Sequence, residues 1–325
     1  MINNSLSVIV IGKNESKNIP QLASSIYHLR KIKNLTVDFI YIDSASNDNS
    51  VEVASQSFNK VIVLNRSKNL NASAGRYVGV INSTSVWNLF LDADMTYCDE
   101  FSLALLDIIS SNNINYGYIG NCVNIAEDCK ESMFLRNNNY KQGNEVFVRH
   151  FGGAVLLPRE VVLKAGNYNP SLFSNEEIDL YTRLRANGIR IKFVNKNMVY
   201  HVKENYSKFY ILIGNLIPTS LYGKKYYGIG QVLNARIKSK NIMPFIRFFP
   251  YPFVFLTMII FSLYSYLYLS AVFTISIFTM SILYLLKYKG LNYMFLYLAF
   301  IPQSLLGWWK YDSDFVPTIK NIIEK

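Results

Sequence analysis

Charged side chains are scarce in this sequence and absent from two long stretches of it. Only 17% of the 325 residues are Asp, Glu, Lys or Arg, whereas soluble domains average about a quarter. No charged residue occurs from Phe248 to Leu286 or from Leu291 to Trp309. A helix needs about 20 apolar residues to cross a bilayer. The C-terminal third is therefore atypical of a soluble domain and favours a membrane-embedded segment.

Cysteine is also rare, and the signatures of several protein classes are missing. Cys98, Cys122 and Cys129 have neither a metal-ligand spacing nor a disulfide framework, so we expect reduced thiols. The first residues lead directly into a strand-like segment, and no export signal is expected. No Gly-x-Gly-x-x-Gly follows that segment, which disfavours a dehydrogenase.

The net charge of +11 is concentrated ahead of the first uncharged stretch. Between Lys203 and Pro250, eight basic residues stand against one acid, Glu204. Basic residues beside an apolar segment are typical of the side of a membrane protein that faces anionic cytoplasmic lipid. No nucleic-acid-binding motif accompanies them, so a membrane surface is favoured over nucleic acid as the partner.

The first two thirds of the chain alternates β-branched runs with helical patterns. The strand-like runs are 6–11, 37–42, 61–64 and 87–91, and the helical patterns are about 22–29, 50–58 and 73–81. This alternation predicts an α/β domain with a Rossmann-like, mostly parallel sheet. Ligands bind such sheets beyond the carboxyl ends of the strands. The polar residues expected there are Asn14 and Glu15, Asp43, and Asp92 with Asp94.

A second part of this domain begins near Phe151 and is followed by the apolar tail. Helices are predicted at about 159–165 and 176–187, and a strand at 190–194. The predicted organisation is an α/β domain over 1–203, a basic and partly amphipathic connector over 204–247, transmembrane helices over 248–310 and a short tail over 311–325. Within the connector, 206–227 is either an interfacial amphipathic helix or a helix packed on the α/β domain.

The length of the first uncharged stretch bears on how many times the tail crosses a membrane. Its 39 residues would form a helix of about 58 Å, roughly twice the thickness of the hydrocarbon core. Two spans, 248–266 and 268–286, are therefore favoured over one. The stretch 291–309 ends in two tryptophans and either crosses as a third span, which we favour, or lies in the interface.

The pair Asp92-Ala-Asp94 follows a predicted strand and has two interpretations. Two carboxylates at a strand end suit Mg²⁺ or Mn²⁺, which bind one or two carboxylates together with the phosphates of a substrate. An Asp-x-Asp in a loop more often serves only turn and capping chemistry. The surrounding motifs favour the metal.

These motifs resemble those of the family 2 inverting glycosyltransferases with the GT-A (nucleotide-diphospho-sugar transferase) fold, from Leu6 to about His201. The matching segments are Ser7-Val-Ile-Val-Ile-Gly-Lys-Asn-Glu15, Asp43-Ser-Ala-Ser-Asn-Asp48, Asn71-Ala-Ser-Ala-Gly-Arg-Tyr-Val-Gly79, Phe90-Leu-Asp-Ala-Asp94, Gly152-Gly-Ala154 and Asn175-Glu-Glu-Ile-Asp179. Three positions depart from the pattern, because Ile11, Gly12 and Tyr77 replace the usual proline, threonine and asparagine.

The resemblance implies a role for each matched residue. Glu177 would be the catalytic base, with Glu176 and Asp179 as support, and Gly152 and Gly153 would form an acceptor-side loop. Asp94 would bind the metal together with Asp92, and His201 lies where some members place a further ligand, although a lone histidine is more often structural. The donor would be bound by Asn14, Glu15, Asp43, Arg76 and Asp92.

The sequence therefore predicts a metal-dependent, hexosyltransferase-type enzyme with an α-helical membrane region. Its donor would be a nucleotide-sugar, a UDP-sugar being favoured, and its acceptor the hydroxyl of a lipid-linked saccharide in cell-envelope polysaccharide synthesis. The cofactor would be Mn²⁺ or Mg²⁺. The predicted location is the inner (cytoplasmic) cell membrane, multi-pass, with the catalytic domain on the cytoplasmic side. The alternatives are a polyprenyl-phosphate glycosyltransferase and a non-catalytic nucleotide-sugar-binding membrane protein.

Overall fold

The computed structural model describes most of the α/β domain and parts of the tail. The described residues are 4–67, 69–111, 113–126, 146–148, 151–203, 224–248 and 302–325, with isolated positions between 257 and 279. The chain divides into two compact units. One is Met1–Asn205 together with Ser313–Lys325, and the other is Tyr206–Asp312.

The first unit is built on ten strands. They are β1 (Ser5–Gly12), β2 (Thr36–Asp43), β3 (Lys60–Leu64), β4 (Trp87–Asp92), β5 (Met95–Tyr97), β6 (Tyr116–Ala126), β7 (Val146–Val148), β8 (Val155–Pro158), β9 (Arg190–Lys203) and β10 (Ile319–Glu324). Its helices are α1 (Ile19–Tyr27), which continues as a 3-10 turn (His28–Lys31), α2 (Ser50–Ser57), α3 (Ala72–Asn82), α4 (Glu100–Ser111), α5 (Arg159–Lys164) and α6 (Glu176–Ala186). All the predicted elements of this unit are present.

The sheet is mixed, so the prediction of a mostly parallel sheet is wrong. Its order is β10-β3-β2-β1-β4-β8-β6-β9-β5, with β7 paired to β9. The pairs among β3, β2, β1 and β4 are parallel, and so is β6 with β9, whereas the other five pairs are antiparallel. The β-branched runs indicate where strands lie but not their direction, and after β4 the chain no longer follows the regular strand–helix alternation.

Small residues on α3 bring this helix close to the central strand. A side chain at Gly79 would collide with Ile9, and one at Gly75 would press on Ile11. Strand β1 is buried along nearly its whole length, as a strand covered on both faces of a sheet must be. The close approach of α3 matters for the site, because Arg76 follows Gly75 and so lies near the ends of β1 and β4.

Strand β10 lies in the segment that the sequence analysis treated as a short tail. It pairs antiparallel with β3 at the edge of the sheet, and Lys60 Nζ lies 2.8 Å from Glu324 Oε1. Strand β10 is thus part of the α/β unit. The prediction missed this strand because its three isoleucines do not follow a strict alternation.

The second unit is described in part. Helices α7 (Lys224–Lys238) and α8 (Met243–Phe248) lie in the predicted connector, and 302–309 is helical. Gly230 and Gly307 allow the backbones of α7 and 302–309 to touch, since a side chain at either would meet main-chain atoms of the other helix. No helix among the described residues is both long and apolar enough to span a membrane. The predicted helix at 206–227 and the spans 248–266, 268–286 and 291–309 fall largely outside those residues.

Candidate active site

The polar strand ends predicted from the sequence meet at one edge of the sheet. Strand β1 lies between β2 and β4, and the register places Gly12 opposite Asp43 and Ile11 opposite Asp92. The main-chain N–H groups of Ser44 and Ala93 both donate to carbonyls of the last two residues of β1, at 2.9 Å. The two aspartates therefore flank the carboxyl end of the same strand, where α/β folds bind ligands.

Two loops at this edge are joined by hydrogen bonds between Asn14 and the residues after β2. Asn14 has a positive φ of 60°, which places it in the left-handed region that asparagine tolerates better than most residues. Its N–H donates to Ser46 Oγ and its Oδ1 accepts from the N–H of Asn47, both at 2.8 Å. The N–H of Glu15 donates to Ser50 Oγ at the same distance. These contacts join the loops after β1 and β2 into one wall of a crevice at the carboxyl end of β1, between Asp43 and Asp92. We call this region the crevice.

Asp43 supports this wall rather than facing solvent. Its side chain is fully buried, and both carboxylate oxygens accept hydrogen bonds from Ser46, one from the N–H and one from the hydroxyl. Nearby, a hydrogen bond from the Ser50 hydroxyl lowers the pKa of Asp48 to about 2. Asp48 is thus a stable anion at the start of α2, whereas Asp43 is already satisfied by the loop. The predicted contact of Asp43 with the donor stays a prediction.

Arg76 lies at the centre of the site and is surrounded by carboxylates. Its Nη2 donates to Asp92 Oδ1 at 2.7 Å, its Nη1 donates to Glu176 Oε1 at 2.5 Å, and Glu177 Oε1 is 3.4 Å from Nη1. Burial alone would lower the pKa of Arg76, but the three carboxylates more than reverse this and raise it. The guanidinium is therefore permanently charged and joins α3, the end of β4 and the start of α6.

Glu177 and Glu176 have different environments although they are adjacent. About a fifth of the Glu177 side chain is exposed, whereas Glu176 is almost fully buried. Burial and the neighbouring Glu176 charge raise the pKa of Glu177 to about 8. A partly exposed carboxyl with a raised pKa is suited to exchange a proton near neutral pH. Glu177 is thus the more accessible of the two carboxyls, and its assignment as the base stays a prediction.

Asp94 and His201 are brought together by the pairing of β5 with β9. Met95 is opposite His201 in this antiparallel pair, and His201 Nε2 lies 3.0 Å from Asp94 Oδ2. The other carboxylate oxygen, Oδ1, is buried and has no hydrogen-bond partner among the described residues. An orphaned carboxylate oxygen beside an imidazole is suited to a hard divalent cation. In the ranges that the structure describes, no three potential ligands converge on one point.

The glycines of the predicted acceptor-side loop differ in their surroundings. A side chain at Gly153 would strike Asp92 Oδ2 and press on Arg76 Nη2, so this backbone forms a wall of the charged cluster. A side chain at Gly152 would meet no atom within 4 Å. Only Gly153 is required by the packing of the site.

Asp179 supports helix α6 and does not face the crevice. It is fully buried and accepts hydrogen bonds from Arg183 Nε and Nη2 at 3.1 and 2.7 Å. Arg183 Nη1 also donates to the carbonyls of Ala165 and Asn167. This pair fastens α6 to the turn after α5 and so holds the start of the helix where Glu176 and Glu177 lie.

Tyr168 is a site residue that the sequence analysis did not predict. Its ring is fully buried, packs against Phe90 at 5.3 Å between centroids, and lies 5.9 Å from Arg76 Cζ. It supplies an apolar and polarisable side to the guanidinium. The only hint in the sequence was the position of Tyr168 directly after Gly166-Asn167, in the segment between two predicted helices.

The first half of the chain matches a known family. Residues 7–157 match the model described as glycosyl transferase family 2. This part of the chain is therefore similar to the family 2 glycosyltransferases. The match supports the prediction of a family 2 glycosyltransferase. Glu176 and Glu177 lie beyond the matched residues, so the family match does not itself assign them.

Two curated relatives agree with this family. The chain is 28% identical over 184 residues to an uncharacterized glycosyltransferase of Haemophilus influenzae, covering 55% of this chain and 61% of that one. It is 31% identical over 103 residues to 4,4'-diaponeurosporenoate glycosyltransferase of Staphylococcus haemolyticus, covering 30% and 26%. The chain therefore spans less than two thirds of the length of either relative.

Solved structures of glycosyltransferases share the fold of this chain. The mannosyltransferase PcManGT of Pyrobaculum calidifontis, in complex with GDP-Man and Mn²⁺, has a TM-score of 0.57 at 12% identity, covering 94% of this chain and 88% of that one. TarS of S. aureus has a TM-score of 0.50 at 17% identity, covering 71% and 43%. At such identities the likeness shows the fold alone, which is of the GT-A type with a mixed sheet.

Proposed function

We propose that this chain transfers a sugar from a nucleotide-sugar to a hydroxyl of an acceptor, with inversion at the anomeric carbon. The observation that carries this proposal is the placement of Glu177, a partly exposed carboxyl with a raised pKa, beside the Arg76–Asp92 pair at the end of β1. A single displacement needs one base on the acceptor side and charge neutralisation on the donor side. Glu177 would be the base, and a metal held at Asp94 would supply the neutralisation.

The donor side of the crevice would hold the nucleoside diphosphate. Asn14 and the loops after β1 and β2 that it joins would face the nucleoside, with Asp43 supporting them from within, and Asp92 would face the ribose. A UDP-sugar remains the favoured donor from the sequence, and GDP-sugars belong in the same test. PcManGT, which shares the fold, carries GDP-Man and Mn²⁺.

The metal would be Mn²⁺ or Mg²⁺ held by Asp94 and His201. The orphaned Oδ1 of Asp94 fits such an ion, and two protein ligands leave places for donor phosphates and water. Asp92 Oδ1 is paired with Arg76, which makes Asp94 the stronger ligand of the two. A bound metal would stabilise the charge of the departing diphosphate. Proton transfer and the positioning of the reacting groups would be performed by side chains of the protein.

In this mechanism Glu177 accepts the proton of the acceptor hydroxyl as the oxygen attacks the anomeric carbon. The bond from that carbon to the diphosphate oxygen breaks, and the nucleoside diphosphate leaves from the opposite face. Arg76 holds Asp92 in place on the donor side, and Gly153 closes the wall behind them. Glu177 lies in the first turn of α6, where the helix dipole favours a carboxylate.

We also propose that the acceptor is lipid-linked and that the enzyme works at the cytoplasmic face of the cell membrane. Described helical positions in the second unit expose large apolar side chains, among them Leu263, Leu267 and Trp309 at 59%, 69% and 78%. The basic residues of 203–250 lie next to these positions in the sequence. An apolar surface beside a basic stretch favours anionic lipid as the partner.

The alternative is transfer to a polyprenyl phosphate. A phosphate acceptor is already an anion and needs no base. The raised pKa and exposure of Glu177 favour the hydroxyl acceptor. Replacement of Glu177 by Gln separates the two, because it should abolish transfer to a hydroxyl and leave transfer to a phosphate largely intact.

The experiment uses membranes that contain the full chain, a panel of UDP- and GDP-sugars, and Mn²⁺. The measured quantity is the nucleoside diphosphate released with and without a lipid-linked saccharide extract. We expect release from one donor, dependent on the extract and lost in Asp94→Ala. Asp99→Ala, at an exposed aspartate outside the crevice, is the matched control and should be active. Release that is unaffected by chelator, or by Asp94→Ala, would overturn the proposed mechanism.

A further inference from the structure

Within the described part of the chain, the guanidinium of Arg76 is surrounded by other residues. Only 2% of the side chain is exposed, Nη1 donates to Glu176 and Nη2 donates to Asp92. Nε is buried as well. A donor molecule in the crevice could reach this arginine only if one of the two ion pairs broke. The contact of Arg76 with the donor, implied by the family resemblance, is therefore disfavoured by the packing.

The partners of Arg76 come from segments far apart in the chain. Asp92 ends strand β4 on the donor side, whereas Glu176 begins helix α6 on the acceptor side, 100 residues after the arginine. Gly153 covers the guanidinium from the loop before β8, where a side chain would strike both Asp92 and Arg76. The arginine therefore connects the two halves of the site through charge-assisted hydrogen bonds, which are strong and directional.

The two glutamates share Arg76 unequally. Glu176 Oε1 lies 2.5 Å from Nη1, while Glu177 Oε1 lies 3.4 Å from the same nitrogen. Glu176 is buried and Glu177 is a fifth exposed. Successive residues of a helix point about 100° apart, so the two carboxyls cannot occupy the same place. The buried one takes the strong bond to the arginine, and the other is left open to the crevice.

We propose that Arg76 and Glu176 are positioning residues that contact neither donor nor acceptor. Arg76 fixes Asp92 to the start of α6, and Glu176 holds Arg76 so that Glu177 stays available for the acceptor hydroxyl. This inference rests on the proposed function, because it assigns separate roles to residues of the same site. It explains why two adjacent glutamates begin α6: one anchors the arginine and the other accepts the proton.

The Glu176→Gln variant tests the anchor with little change in shape. Its amide oxygen still accepts a hydrogen bond but carries no charge, so the guanidinium keeps Glu177 as its only anionic partner on α6. Glu177 is then drawn into the stronger pair and away from the acceptor. We expect kcat to fall about 10- to 100-fold, less than the roughly 100- to 10,000-fold that complete loss of a base costs. The KM for the donor should stay within about threefold, since no donor contact is lost.

The Arg76→Lys variant tests the connection between the two halves. Lysine keeps the charge but presents a single ammonium in place of a planar fork, so it cannot hold Asp92 and Glu176 in the same way. We expect the same pattern, a lower kcat with a donor KM within about threefold. If this buried substitution prevents folding, the nearly isosteric Glu176→Gln variant carries the test.

The measurement is steady-state kinetics with the donor that the wild-type chain uses, combined with calorimetric binding of its nucleoside diphosphate in Mn²⁺. Glu160→Gln is the matched control, because Glu160 is an exposed glutamate in the first turn of α5 and should leave kcat and KM unchanged. A tenfold weaker nucleotide binding in either Arg76→Lys or Glu176→Gln, with kcat preserved, would show a donor contact and overturn the inference. An unchanged kcat in Glu176→Gln would do the same. A wild-type chain that turns over no nucleotide-sugar overturns the proposed function and this inference with it.

Discussion

At the scale of single residues, the site depends on carboxylates that differ in their neighbours. Asp43 is saturated by Ser46, Asp92 is tied to Arg76, and Asp94 keeps one buried oxygen without a partner among the described residues. The sequence supplied the positions of these residues. The sequence did not predict which residues pair with one another. Arg76 and Glu176, for example, are 100 residues apart and meet only in the folded chain.

The raised pKa of Glu177 leads to a prediction about pH. Burial and the charge of Glu176 raise this pKa to about 8, and a base acts only when it is deprotonated. The value of kcat/KM reports the free enzyme, so it should increase as pH rises through about 8 and then level off. The measurement is kcat/KM between pH 6 and about 9.5 at constant Mn²⁺. A Glu176→Gln variant should shift the rise to lower pH, and a profile that falls over this range would contradict the assignment.

Gly153 leads to a second prediction at this scale. Alanine there would place a methyl group against Asp92 and Arg76, so one of them must move. We expect Gly153→Ala to lower kcat/KM at least about tenfold, because small displacements of positioning groups are costly. The matched variant Gly152→Ala places its methyl group in open space and should lose far less activity. Equal losses in the two variants would contradict the wall assigned to Gly153.

At the scale of elements, the strands and helices up to β4 agree with their sequence patterns. Strand β1 is a continuous β-branched run that is buried on both faces, and such a run predicts a central strand directly. The short strand β5, the antiparallel pairing of β8 and the addition of β10 were not predictable in this way. Their places depend on distant partners, as when β5 pairs with β9 more than 100 residues later.

Helix α6 gives a prediction for stability at the element scale. Arg183 pairs with the fully buried Asp179 and holds the turn at Ala165 and Asn167. Arg183→Met would remove the ion pair that Arg183 makes with this buried carboxylate, a change that costs about 3–5 kcal/mol. Chemical unfolding of the first unit should show this loss. Arg185→Met, at an exposed arginine of the same helix, should change stability by less than about 0.5 kcal/mol. Equal losses of stability in Arg183→Met and Arg185→Met would contradict the proposal that Arg183 holds α6 to the turn after α5.

At the scale of the whole molecule, the α/β unit includes the last strand of the chain as well as its first two thirds. The second unit, Tyr206–Asp312, is thus inserted between β9 and β10 of the first. The change in composition after about residue 203 is visible in the sequence. The sequence did not predict that the chain returns to the sheet, because β10 is short and its isoleucines do not follow a strict alternation.

The proposed membrane association belongs to this scale. The exposed apolar side chains of the second unit and the basic residues before them should keep the full chain in the membrane fraction. We expect it to resist extraction by alkaline carbonate and to require detergent for release. Release by carbonate alone would contradict an embedded second unit while leaving the assignment of the catalytic domain unchanged.

The central claim is that the crevice binds a nucleoside diphosphate through a divalent metal held by Asp94. Calorimetric titration of the detergent-solubilised full chain with UDP and with GDP, in Mn²⁺ and then in chelator, tests it most directly. We expect binding of one nucleotide that is lost in chelator and in Asp94→Ala but retained in Glu177→Gln. Binding that is equally tight without metal, or in Asp94→Ala, would contradict the account.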